Sequence, residues 1–187
     1  MYGVLPLALL AMGCIFGSEP DDVQIGTAEG PEDPGRQALI PRNAPDDDGS
    51  DGVISSTDCP VDETPFACEV IELVNAERSS RGMAPYGYNA ELALAAYLHA
   101  QDMSLQNYFS HTSLDGRRFD ERIEQAGYDA FPRGENIAQG YTTPEDVMVG
   151  WMNSPGHRAN ILDGMATELG VGFYPSGNYW VQNFGTR

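Results

Sequence analysis

A segment in the last third of the chain reads Trp151-Met152-Asn153-Ser154-Pro155-Gly156-His157-Arg158-Ala159-Asn160-Ile161-Leu162. Pro155 suits the first position of a helix, where the backbone N–H has no partner to lose, so short helical structure is predicted over 155–161. His157 lies in the first turn of that helix and is one of only three histidines in the protein. The segment therefore supplies both an element of structure and a candidate for chemistry.

Helices are predicted before this segment and strands after it. Helix starts are marked by Thr64, Asn89 and Thr143, and another helix is predicted from about Arg117. Apolar patterning predicts two strands, 168–174 and 179–184, joined by a turn over 175–178, and a further strand is expected around 136–141. Helices mixed with a few late strands indicate an α+β protein with helix–sheet–helix layering.

The N-terminus has the features of an export signal. Residues 1–13 are apolar, too short to span a bilayer as a helix, and match the core of a signal peptide. They end Leu10-Ala11-Met12-Gly13-Cys14, a small-residue site followed directly by cysteine. This resembles the lipobox of bacterial lipoproteins, in which the cysteine is acylated. Export with a lipid anchor on Cys14 is predicted, and the alternative is a plain signal peptide without lipidation.

The chain is strongly acidic, with a formal net charge of −18 and no Lys. Residues 18–58 contain eleven Asp or Glu and only two Arg, and few of them can build a core. We therefore predict a disordered acidic linker over 14–58 and a folded domain over 59–187. An acidic surface repels phosphate backbones, which excludes nucleic acid as a partner.

Two cysteines remain once Cys14 is assigned to a lipid. In an oxidising compartment, Cys59 and Cys68 are expected to form a disulfide that closes a small loop at the entrance to the domain. Two free thiols are the alternative. A metal site is disfavoured at this place because no His or further Cys lies near them in the sequence.

The other two histidines differ in their setting. His99 lies in the middle of a predicted helix and is expected to be structural. His111 follows just past that helix, where a loop can aim its side chain inward. Glu135 comes later, in Gly134-Glu135-Asn136. Spacing alone does not bring His111, Glu135 and His157 together.

Six blocks of the sequence resemble the signature blocks of the CAP superfamily (cysteine-rich secretory protein, antigen 5 and pathogenesis-related 1), in the same order. They are residues 73–78, 107–112, 134–138, 151–162, 168–172 and 179–184. The resemblance covers about 65–187 and is closest to the bacterial branch, which has the form Ser-Pro-Gly-His-Arg-Ala-Asn-Ile-Leu. It implies a three-layer α-β-α sandwich with a small, mainly antiparallel sheet.

The resemblance also implies a central cleft that holds two histidines and two acidic residues. His111 and His157 match the histidine positions, and Glu135 matches one acidic position. Many eukaryotic relatives carry the second acid three residues after the tryptophan, where this chain has Ser154. Glu168, at the start of the first strand of the hairpin, is therefore the candidate for the second acid.

These residues permit three functions. Two neutral imidazoles are good ligands for Zn²⁺ or another divalent cation, so His111 and His157 are the predicted metal ligands. The first hypothesis is an exported surface module that binds a lipid, glycan or protein ligand. The second is a metal-assisted hydrolase of peptide or cell-wall substrates with Glu135 as its base. The third is a structural cleft on a protein that acts through protein partners.

Overall fold

The computed structural model describes residues 23–24 and 64–187. Its sheet contains five strands in the order β1-β3-β5-β4-β2. They are β1 (Val23–Gln24), β2 (Gly87–Tyr88), β3 (Phe131–Gln139), β4 (Glu168–Tyr174) and β5 (Tyr179–Thr186). The three long strands pair antiparallel, with β5 in the middle, while the two-residue strands at the edges pair parallel. The predicted mainly antiparallel sheet is confirmed.

Five helices accompany the sheet: α1 (Pro65–Ser79), α2 (Ala90–Gln106), α3 (Phe119–Gln125), α4 (Pro144–Asn153) and α5 (Pro155–Ile161). The predicted capping residues begin three of them, because each side-chain oxygen accepts a hydrogen bond from a backbone N–H in the first turn. These bonds join Thr64 to Ala67, Asn89 to Leu92 and Thr143 to Asp146. Such caps each stabilise a helix by about 1 kcal/mol.

The helices form two layers, one on each face of the sheet. Side chains of β5 alternate between the layers, so that Trp180 and Phe184 pack with α1 and α4 while Val181 packs with α2. Trp151 and Trp180 are fully buried, so both tryptophans belong to the core. The α-β-α sandwich implied by the sequence is confirmed.

Two details of the sheet differ from the prediction. The strand expected around 136–141 begins earlier and covers Phe131–Gln139, because its pairing with β5 extends to Phe131↔Thr186. The edge strand β2 was not predicted, and two residues are too few to give an alternating pattern.

The N-terminal predictions fall mostly outside the described residues. Residues 1–13, Cys14, Cys59 and the remainder of the predicted linker are among these. Val23–Gln24 is the described part of that linker, and its backbone pairs with Ala138–Gln139. Cys68 is disulfide-bonded, and its pairing with Cys59 stays a prediction. Over the described ranges, no helix combines the length and the apolar character needed to cross a membrane.

Candidate functional site

The centre of the site is a hydrogen-bonded pair of side chains, one on a loop and one in the sheet. Nδ1 of His111 lies 2.8 Å from Oε1 of Glu135. The carboxylate is 1% exposed and the imidazole 25% exposed. Asn107 ends α2 in the left-handed conformation, with φ of 53°, which turns the chain into the loop that carries His111. The structure therefore brings together two residues that are 24 positions apart in the sequence.

A buried arginine completes the pair, and it was missed at the sequence level. Nη2 of Arg122 donates to Oε2 of Glu135 at 2.7 Å, and both side chains are nearly inaccessible to solvent. Arg122 lies on the inward face of α3, three residues after Phe119 and adjacent to Ile123. A charged residue at that helical spacing is the signal that would have found it, since a buried charge requires a partner.

Each carboxylate oxygen of Glu135 thus has a hydrogen-bond partner, which favours the ionised form of the side chain. Burial would raise the pKa of Glu135, but the His111 hydrogen bond and the charge of Arg122 lower the pKa below its ordinary value. The group is therefore an anion at neutral pH. Its position and charge are set by the surrounding protein.

The loop that carries His111 is held at two backbone carbonyl groups. Nε2 of His99 lies 3.0 Å from the carbonyl oxygen of Ser110. Nη2 of Arg122 donates to the carbonyl oxygen of His111 at 3.0 Å. His99 therefore has the predicted structural role, because its contact with Ser110 attaches α2 to this loop.

His157 lies on the opposite helical layer and is joined to β3 through amide side chains. It is 2% exposed, in the first turn of α5. Nδ2 of Asn136 donates to the carbonyl oxygen of His157 at 3.1 Å. Nδ2 of Asn160 donates to the carbonyl oxygen of Glu135 at 3.2 Å and to Oδ1 of Asn136 at 2.8 Å. The two sequence blocks 134–138 and 151–162 are therefore joined by hydrogen bonds.

A second buried arginine positions the far end of α5. Nη1 of Arg78 donates to the carbonyl oxygens of Ile161 and Asp163, and its guanidinium lies 3.5 Å from the ring centroid of Tyr86. The hydroxyl of Tyr86 lies 3.1 Å from the carbonyl oxygen of Asn160 and 3.0 Å from that of Asp163, and it shares its one proton between them. These contacts satisfy carbonyl groups that the end of the helix leaves without partners.

Glu168 belongs to a different polar cluster. Its carboxylate accepts hydrogen bonds from the hydroxyl of Tyr128 at 2.7 Å and from Nδ2 of Asn89 at 3.4 Å. The guanidinium of Arg187 lies 3.9 Å from the same carboxylate. The contacts of Glu168 thus connect β4 with the start of α2 and the end of the chain, while Glu135 contacts His111 and Arg122.

No group of three His, Cys, Asp or Glu side chains suited to a metal ion occurs within the described part of the chain. The binding of a metal by His111 and His157 stays a prediction.

The architecture and this site define the class of protein: a three-layer sandwich whose central sheet holds a buried glutamate against a loop histidine. The family model for the cysteine-rich secretory protein family, CAP, matches residues 71–184, and the chain belongs to that family. It is 41% identical over 131 residues to the uncharacterised protein YkwD of Bacillus subtilis, an alignment that covers 70% of this chain and 51% of YkwD. It is 36% identical over 116 residues to the uncharacterised membrane protein YlbC of the same species, covering 62% of this chain and 33% of YlbC.

Solved structures share the fold. An extracellular protein containing an SCP domain from Bacillus anthracis matches with a TM-score of 0.61 and 33% identity, over 64% of this chain and 39% of that protein. An outer surface protein of Borrelia burgdorferi matches with a TM-score of 0.58 and 21% identity, over 63% of this chain and 90% of that protein. The chain spans only about half, or less, of the length of the two curated relatives.

Proposed function

We propose that the protein is an exported ligand-binding module, which captures a lipid, glycan or protein outside the cell at the His111–Glu135 pair. The observation that carries this proposal is that both Glu135 oxygens are hydrogen-bonded, one to His111 and one to Arg122. Such an arrangement holds the imidazole in one orientation and leaves a partly exposed ring as the group that meets a ligand. Fixed polar groups of this kind give a binding site its specificity.

The same contacts argue against Glu135 as the base of a hydrolase. A general base needs an oxygen within hydrogen-bond reach of the proton that it removes and a pKa near the working pH. Both Glu135 oxygens are engaged, and the pKa of the group is lowered. Hydrolysis of peptide or cell-wall substrates is therefore the second candidate.

A divalent cation such as Zn²⁺ is proposed as an optional component of the site. Since Nδ1 of His111 is bonded to Glu135, coordination would fall on Nε2, and the carboxylate would raise the basicity of the ring. The sequence predicts His157 as the other protein ligand, but its helix packs on the face of the sheet opposite to α2 and the His111 loop. A bound cation would polarise a ligand oxygen; the role of Glu135 is to orient the imidazole.

The location outside the cell rests on three observations. The apolar segment 1–13 precedes Cys14 in a lipobox-like context. Cys68 is disulfide-bonded, and disulfides persist in oxidising compartments. The matching Bacillus anthracis protein is extracellular. We propose export, with anchoring to the membrane through acylated Cys14 and a disulfide between Cys59 and Cys68.

Two probes test the binding function: purified bacterial cell wall for the glycan class and phosphatidylcholine vesicles for the lipid class. The chain is sedimented with each probe, and the soluble fraction is analysed for released fragments. Binding without release is expected, and His111→Ala should reduce it. Release that Glu135→Gln abolishes would instead establish the hydrolase. Failure to sediment with either probe would contradict lipid and glycan capture, and would favour a protein ligand.

A calorimetric titration with zinc tests the cation separately. Binding to the metal-stripped chain that His111→Ala and His157→Ala both remove would support a metal site. Heat that is unchanged in the variants would overturn it. Thermal unfolding of the same variants shows whether the network serves stability alone, because a purely structural network would lose stability without losing any ligand.

A further inference from the structure

A groove between α2 and α3 is the feature that the proposed function leaves unused. We call the surface formed by all of its lining residues the α2–α3 groove. Six of these residues are central to the argument: Leu94, Leu98, His99, Arg117, Gln125 and Ala126. The groove has a volume of about 260 Å³. It shares Arg122 and Ser113 with the surroundings of the His111–Glu135 pair, but it includes neither His111 nor Glu135.

The outer wall of the groove is apolar and faces solvent. Leu94 and Leu98 are one helical turn apart on α2 and are 47% and 48% exposed. Ala95, which is buried, and Ala126 also line the groove. Covering such surface is favourable by about 25 cal/mol for each Å² removed from water. The wall therefore suits an occupant with an apolar body.

A buried acceptor lies in the lining of this groove. His99 is 1% exposed, and its Nε2 lies 3.0 Å from the carbonyl oxygen of Ser110. Because a carbonyl oxygen only accepts, Nε2 must carry the proton, and Nδ1 of the neutral ring is then an acceptor. Nδ1 is buried and has no hydrogen-bond partner among the described residues. Burial also lowers the pKa of His99, which keeps the ring neutral at pH 7.

The cationic side chains of the groove donate elsewhere. Nη1 of Arg122 donates to Oγ of Ser113 and to the carbonyl oxygen of Arg117. Its Nη2 donates to the carbonyl oxygen of His111 and to Glu135. Arg117 donates to Asp115 and to Oε1 of Gln125. A buried acceptor without a donor is costly, and an occupant of the groove that brings a hydroxyl to Nδ1 would remove that cost.

We propose that the α2–α3 groove binds a small uncharged molecule with an apolar body and a hydroxyl group, the body lying against Leu94 and Leu98 and the hydroxyl donating to Nδ1 of His99. A carboxylate has no proton to donate at neutral pH, so acids are excluded as ligands. The volume lies just under the range of about 300–1,000 Å³ for sites of drug-sized ligands, which indicates a molecule the size of a short-chain alkylphenol. This site is separate from the His111–Glu135 pair, and either one can fail without the other.

A matched pair of probes tests the proposal. Para-butylphenol carries the hydroxyl donor, whereas para-butylanisole has the same body but its oxygen bears a methyl group. Each is titrated into the full chain and followed by two-dimensional NMR of the backbone amides and of the histidine ring nitrogens. The phenol should perturb amides of Leu94, Leu98 and Ala126 and move the Nδ1 resonance of His99. The anisole should bind about tenfold more weakly and leave Nδ1 unmoved.

Variants of α2 give the control. Leu98→Glu places a charge in the groove, and Leu98→Ala removes apolar wall without adding charge. Both should weaken phenol binding at least about tenfold. Leu105→Glu adds the same charge to the same helix at a position that does not line the groove, and it should have no effect. Equal binding of phenol and anisole, perturbations away from the groove, equal loss in the Leu105 variant, or no binding of the phenol would each overturn the proposal.

Discussion

Arg122 is the residue on which the geometry of the site depends most. It is 7% exposed and binds Glu135, Ser113 and two backbone carbonyl groups. Removing one partner of a buried ion pair typically costs about 3–5 kcal/mol. We therefore expect Arg122→Met to lower the free energy of unfolding by that amount in urea denaturation.

Arg117→Met is the matched control for that substitution. Arg117 also pairs with a carboxylate, that of Asp115, but the two side chains are 40% and 54% exposed. Exposed pairs contribute about 0–1 kcal/mol, so the control should change stability little. Equal losses in the two variants would contradict the assignment of Arg122 as the support of Glu135.

The sequence predicted some residues of this site and missed others. His111, Glu135 and His157 came from the resemblance to a family, because no periodicity relates a loop, a strand and a later helix. Arg122 was missed although it lies on the inward face of α3, since an isolated arginine is normally solvated and its anionic partner is on another element. Glu168 was proposed from its position at the start of a strand. Its partners could not be predicted because they depend on which elements pack against that strand in the folded protein.

Protonation of His99 should make the fold sensitive to acid. Burial, with a smaller effect from Arg122, lowers its pKa below 6.5, while the carboxylates of Glu135 and Asp102 oppose this shift. In the unfolded chain the ordinary value returns, so the unfolded state takes up the proton first as the pH falls. The unfolding free energy should then decrease from about pH 6.5 downward, until the folded pKa is reached.

The variant His99→Gln tests whether His99 causes this decrease of the unfolding free energy at low pH. An amide can still donate to the carbonyl oxygen of Ser110, but it does not titrate. In urea denaturation between pH 7.5 and 5, the wild type should lose up to about 1.4 kcal/mol more for each pH unit than the variant. A variant with the same pH dependence as the wild type would show that other groups cause the loss.

Among the elements, α2 packs directly against the backbone of β4 at two glycines. A Cβ atom on Gly170 would meet the backbone nitrogen of Ala93, and one on Gly172 would meet that of Tyr97, in both cases too closely to be tolerated. The backbone of a helix cannot move aside as a flexible side chain can. We expect Gly172→Ala to cost about 3 kcal/mol or more, measured by thermal or urea unfolding.

Gly87→Ala provides the comparison, because Gly87 is also in a strand and a Cβ there would lie 3.8 Å from the carbonyl oxygen of Thr167, an ordinary contact. It should change stability by less than about 1 kcal/mol. If both alanines are tolerated equally, the close packing of α2 on the sheet is not what requires glycine at position 172.

The starts of helices could be predicted from the sequence where they depend on hydrogen bonds between residues close together in the chain. Thr64, Asn89 and Thr143 bond to backbone groups three residues away, and the sequence carries both members of each contact. The strand 168–174 was recognised from its apolar residues, but the need for Gly170 and Gly172 was not. That need arises from α2, which lies about 75 residues earlier in the chain and crosses the strand only in the folded molecule.

At the scale of the whole molecule, one covalent link is expected to fix the start of the domain. Cys68 lies in the first turns of α1 and is disulfide-bonded, and Cys59 is its predicted partner. Closing so short a loop should stabilise the fold by about 2–3 kcal/mol. Replacing both residues by Ser should lower the urea midpoint correspondingly and make it insensitive to reductant. A wild-type midpoint that reductant does not change would contradict the pairing.

The predicted lipid on Cys14 determines where the domain works. With an acyl chain and the lipid glyceride attached, the exported chain would be held at a membrane, whereas a plain signal peptide would release it. In a bacterial host, labelled palmitate should be incorporated into the wild type, which should separate into the detergent phase. Cys14→Ser should remove the label and move the protein into the aqueous fraction, while Cys59→Ser should do neither. Unlabelled wild type in the aqueous fraction would establish a secreted binder, which meets its ligand in solution instead of at the surface.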